Sequence, residues 1–161
     1  MTEKLHEKLR DREMKVFSLF SILLLLVGAF AFEPPRMIAK ALLEIITSRD
    51  ALITDYFELA GYGASFFNAA CVLGIAVALI QFLKIPFTGL TMAALFINAG
   101  YAFWGKNVVN ILPILFGTFL YAKVHRAGMN RYIYTALFGT CLSPFVTEMV
   151  SILPYSDFIN I

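Results

Sequence analysis

The sequence predicts an all-α, polytopic transmembrane helix bundle: about five spans plus an interfacial amphipathic helix, with at least one broken or re-entrant segment. Three observations predict it. The chain has 161 residues, of which 60% are apolar and 15% charged, against roughly 45–50% and 25% in soluble domains. Its mean hydropathy is +0.77. The apolar residues fall in runs of spanning length, separated by short polar connections rich in Gly, Pro, Lys and Asn. So small a soluble fold could not cover that much apolar surface, whereas lipid-facing side chains need no cover.

Residues 1–15 form a polar, helix-prone leader with Lys4, Lys8, Arg10, Arg12 and Lys15 set against Glu3, Glu7, Asp11 and Glu13. The membrane domain occupies 16–161. Its first span, 16–32, is uncharged and stops at Glu33-Pro34-Pro35, where proline cannot continue the helix. Cleavage as a signal peptide after Ala29-Phe30-Ala31 is the alternative. Residues 36–50 place Met37, Ile38, Ala41, Leu42, Ile45 and Ile46 on one face, with Arg36, Lys40, Glu44 and Ser48 opposite. That pattern suits a helix in the interface or on the bundle. Gly61-Tyr62-Gly63 reads as a flexible break. Further spans follow at about 64–83, 88–104, 111–122 and 132–153, the last ended by Pro154.

Nine basic residues fall on the side of the N-terminus and four on the other, which predicts a multi-pass cell-membrane protein, in a bacterial inner membrane, with a cytoplasmic N-terminus. An odd span count would insert a following copy upside down, as in the inverted repeats of many transporters. The expected partners are therefore the lipid bilayer, and a homo-oligomer or a missing second half. A net charge of +2 with scattered basic residues excludes nucleic acid.

The richest stretch runs from Asn98 to Asn110, followed by Pro113. Unwound backbone at membrane depth has to line a cavity or be buried in protein, and half-helix ends there bind ions or anionic groups. One reading has Lys106, Asn107 and Asn110 facing a solute; the other is an ordinary loop with Lys106 snorkelling to headgroups. Gly100-x-x-x-x-Gly105-Lys106 is not a phosphate loop: Asn107 stands where Ser or Thr is needed, and no strand precedes it. Glu148 is a carboxylate inside a late apolar run, near Ser143 and Thr147. It is either a proton- or cation-binding group or wetted near the interface. Asn68 and Asn98 serve interhelical hydrogen bonds or solute contact. Ala70-Gly74-Ala78 and Gly139-Ser143 read as close-packing faces.

Catalysis is not expected. His6 and His125 lie in polar segments, Cys71 and Cys141 are isolated in apolar runs, and no HExxH, GxSxG or CxxC occurs. No cofactor and no metal are implied.

Several phrases carry a family resemblance: Gly63-Ala-Ser-Phe-Phe-Asn68-Ala, Ala102-Phe-Trp-Gly105-Lys106-Asn107 with Asn110-Ile-Leu-Pro113-Ile, Gly117-x-x-Leu-Tyr121-Ala, and Thr135-Ala-Leu-Phe-Gly139-Thr. Over about residues 60–150 the chain resembles an uncharacterised family of bacterial multi-spanning membrane proteins, a domain of unknown function. The resemblance implies longer members, of which this chain matches an N-terminal portion. It implies no activity.

Two functions compete: one repeat-like half of a small-solute or ion transporter, or a non-transporting membrane scaffold or accessory subunit. A polar cavity enclosed by Asn68, Asn98, Asn107 and Asn110 would favour the first. The same amides paired only with each other and with backbone would favour the second.

Overall fold

A computed structural model describes residues 2–48 and 53–152. It is all-helical among the described residues: α1 (Thr2–Phe32), α2 (Pro35–Thr47), α3 (Tyr56–Phe82), α4 (Gly89–Tyr101), α5 (Leu112–Val124), α6 (Ile133–Gly139) and α7 (Ser143–Ile152), with 3₁₀ turns before and after α6. Arg49, Asp50, Pro154 and the tail at 155–161 lie outside the described residues.

The polar leader and the first span are one helix, because nothing between Glu3 and Phe32 breaks the ladder and the leader's residues favour helix. Only 11% of the apolar stretch of α1 is buried in the fold, against 61% for α3, and both helices are long and apolar enough to cross a membrane. So α3 is the central helix, and α1 lies on the periphery with Leu23, Leu24 and Val27 exposed. The main core joins Leu73, Val77 and Ile80 of α3 to Ala94 and Leu95 of α4 and to Ile133 and Leu137 of α6.

The amphipathic reading of 36–50 matches α2, which begins with Pro35 at its first turn and buries Ile38 and Ile45. Its partners are on α3: Ile45 packs with Tyr56, Ala60 and Ala64. The expected break at Gly61-Tyr62-Gly63 is narrower than a loop. Asp55 caps the helix at Phe57 and Glu58, and α3 starts at Tyr56 and continues through a kink at Gly61, whose φ is +80°. The Glu33 side chain occupies the space a Cβ on Gly61 would need. A Cβ on Gly63 would lie 2.6 Å from Glu33 Cβ and 3.0 Å from the Ala29 carbonyl. Those two glycines let α1 and α3 approach closely.

The expected face Ala70-Gly74-Ala78 packs only at Ala70, which is buried. Gly74 has open space at its Cβ position, and Ala78 is exposed. The second small-residue face is used, since a Cβ on Gly139 would meet Ile114 at 3.3 Å. The expected fifth span is interrupted: α6 and α7 are separated by a 3₁₀ turn at Thr140–Leu142, immediately before Pro144, whose missing N–H removes a ladder bond. The expected spans at 88–104 and 111–122 are helices of 13 residues each, α4 and α5. At about 1.5 Å per residue each is about 20 Å long, short of a bilayer core of about 30 Å.

Candidate functional site

The unwound chain between α4 and α5 is held by its own amides. Gly105 takes φ +80°, a conformation that costs other residues free energy, and there the chain turns back into the fold. Phe103 accepts the Tyr56 N–H at 3.2 Å, and Asp55 forms an isolated antiparallel bridge with Trp104. These contacts fasten the outer side of the break to the start of α3.

Asn68 fastens the inner side. Its Nδ2 donates to the carbonyls of Ala102 at 2.7 Å and Lys106 at 2.8 Å, so both hydrogens of one amide satisfy the two ends of the turn. Asn107 and Asn110 form a reciprocal cap. Asn107 Oδ1 accepts from the Val109 and Asn110 N–H groups at 2.9 Å. Asn110 Oδ1 in turn accepts the Asn107 N–H at 2.9 Å. This is the capping-box pattern with two asparagines. Asn110 Nδ2 also donates to the Gly105 carbonyl at 2.8 Å, and Asn107 Nδ2 reaches the Tyr56 hydroxyl at 3.3 Å and the Ile45 carbonyl at 3.4 Å.

Lys106 lies at the centre, with 0% exposure. The snorkelling alternative is therefore not what the fold adopts. Its ammonium donates to Asn98 Oδ1 and, at 2.9 Å, to Thr140 Oγ1. Asn98 Nδ2 donates to the carbonyls of Ala94 at 2.8 Å and Leu137 at 3.0 Å, which ties α4 to α6 beside the lysine. Thr140 Oγ1 lies 2.7 Å from the Leu137 carbonyl and 2.9 Å from Asn98 Oδ1, and its single hydrogen serves one of them at a time. Among the described residues no carboxylate bonds to Lys106.

Side chains from two interrupted helical segments meet that ammonium. Asn98 is in the last turn of α4, which ends at Tyr101, and Thr140 opens the 3₁₀ turn that follows α6.

The family model of a protein of unknown function (DUF1576) matches residues 34–160. The chain belongs to this family. No curated protein and no solved structure matches it. Everything just described, from Ile45 to Thr140, lies inside the DUF1576 region, and the whole of α1 lies before it.

The expected residues divide into three groups. Asn98 and Lys106 meet directly. Asn68, Asn107 and Asn110 surround the same turn through backbone bonds. Glu148 is on α7, half-buried, and is neither a partner of Lys106 nor part of the nearest pocket. Its expected neighbour Thr147 donates to the Ser143 carbonyl at 3.3 Å. Each of the two spaces at the break touches at most two of the four amides. Beside Asn98 and Thr140 there is a space of about 10 Å³, about one water in size. A half-open pocket of about 270 Å³ is lined by Ser48, Asn107, Asn110, Pro113 and Thr147. Thr140 and Tyr56 are the contributors that sequence reading missed. Thr140 had one available signal, its place directly after Gly139 and ahead of Pro144.

Proposed function

We propose that the chain is one repeat-like half of a small-solute or ion transporter, with Lys106 as its polar centre, set in a cell membrane with its N-terminus cytoplasmic. One observation carries this: the fully buried Lys106 ammonium, in the break between α4 and α5, is held by neutral side chains alone, Asn98 and Thr140. Burying such a charge is expensive, and a charge retained at membrane depth marks a path for ions or solutes by default. The half-open pocket beside Asn107 and Asn110 supplies an approach of small-molecule size on one side of the break. No catalytic step, cofactor or metal belongs to this function. The complementary half is a second copy of the chain or a further segment of a longer protein.

The test is flux into liposomes carrying entrapped indicators for sodium, potassium and protons. Wild-type protein is expected to move at least one of them faster than protein-free vesicles, and Lys106→Met to abolish that movement. Equal flux in Lys106→Met, or none for any probe in the wild type, refutes the proposal.

A non-transporting scaffold or accessory subunit is the second reading. It is favoured by the closure of Asn68, Asn107 and Asn110 on backbone, on one another and on Tyr56, and by spaces at the break that each touch at most two of the four amides. A stoichiometric membrane partner on purification, with no flux, would establish it.

A further inference from the structure

We propose that the Lys106 ammonium is the tethered occupant of a monovalent-cation site, and that a free alkali cation takes its place when the lysine withdraws or is removed. The oxygen set is the first ground. Asn98 Oδ1 and Thr140 Oγ1 both face the ammonium and lie 2.9 Å from each other. The two residues are 2% and 1% exposed. Ser143 Oγ is fully buried and has no hydrogen-bond partner among the described residues. It follows Thr140 by three positions, which puts the two hydroxyls on one helix face.

The chemistry of the partners is the second ground. Both partners of the Lys106 ammonium are neutral oxygens. Neutral oxygens are what hold alkali cations in membrane proteins. Divalent cations call for carboxylates, and among the described residues no group of three Asp, Glu, His or Cys side chains could hold one. Exchange of an ammonium for an alkali ion keeps the local charge unchanged, so the closed geometry tolerates either occupant.

The site rests on the same placement of the break that supports transport, but the test reads binding and needs no flux. Thermal unfolding of detergent-purified protein is followed in choline, lithium, sodium and potassium chlorides at equal ionic strength. Lys106→Ala vacates the position and leaves room, whereas Lys106→Met refills it with apolar chain. The midpoint of Lys106→Ala is expected to rise by roughly 5 °C in at least one alkali chloride over choline chloride. Wild type and Lys106→Met are expected to stay within about 1 °C across the four salts. A Lys106→Ala midpoint that ignores the cation, or an equal rise in all three proteins, overturns the site. Lys106→Ser serves in the same way if the alanine variant is not recovered folded, and failure of both to fold in every salt also overturns it. Cation stabilisation without flux would leave the site standing and remove transport; flux without stabilisation would do the reverse.

Discussion

Replacing Asn68 with leucine removes the two hydrogen bonds that close the turn between α4 and α5. The carbonyls of Ala102 and Lys106 then lose their donor, and no backbone N–H among the described residues replaces it. Two interhelical bonds at the average measured in membranes, about 0.6 kcal/mol each, give a floor of about 1 kcal/mol. That average describes side chains whose unfolded reference finds other partners. Here both carbonyls sit in unwound chain inside protein, so the cost of orphaning a buried acceptor applies, about 1–2 kcal/mol each. The larger effect governs, and Asn68→Leu is expected to destabilise by about 2–4 kcal/mol. Reversible unfolding in mixed detergent and SDS micelles measures it. A loss below about 0.5 kcal/mol would refute the idea that this amide, more than the apolar packing around it, holds the break closed.

Other substitutions probe the remaining contacts. Lys106→Met replaces a buried charge by apolar chain of similar length and is expected to be neutral or stabilising by up to about 3 kcal/mol; a large destabilisation in the same unfolding assay would make the lysine a structural requirement. Gly63→Ala puts a methyl group 2.6 Å from Glu33 Cβ and is expected to cost about 1–3 kcal/mol by overpacking, read as a lower thermal midpoint. Gly105→Ala meets a φ of +80° and should cost about 1–2 kcal/mol, with faster hydrogen exchange at Asn107 and Asn110 as its local sign. Asp11→Ala removes the acceptor for the Phe87 N–H at 2.6 Å. A loss of about 1 kcal/mol and faster exchange at the Phe87 amide are expected, and unchanged exchange there would dismiss the contact.

The all-helical bundle and the break were legible because both are written in local chemistry. Runs of apolar residues need no distant partner to be recognised, and the cluster of Gly105, Asn107, Asn110 and Pro113 combines a residue suited to positive φ with residues that cap and begin helices. What the sequence left open was the direction in which Lys106 points, since a lysine two residues after a tryptophan at an expected interface fits either a wet head or a buried one. Burial was decided by Thr140 and Asn98. Thr140 is 34 positions away along the chain, and a single threonine carries no periodic signal. Gly74 shows the opposite error: its spacing from Ala70 and Ala78 suits close helix packing, yet no described neighbour lies within 4 Å of its Cβ position, because spacing alone does not say which face of α3 meets a neighbour. Gly63 does the close packing in its stead, and Glu33 fills the adjacent space, a pairing between residues in separate elements that no local window contains.

α1 runs unbroken for 31 residues, which at about 1.5 Å per residue is about 46 Å, some 16 Å more than the hydrocarbon of a bilayer of about 30 Å. Set upright across a bilayer, a helix of that length would leave its charged first turns outside the hydrocarbon. It is held along its length: Asp11 accepts the Phe87 N–H near one end, Met14, Ile22 and Leu25 pack on the main core midway, and Ala29 meets the Gly63 notch near the other end.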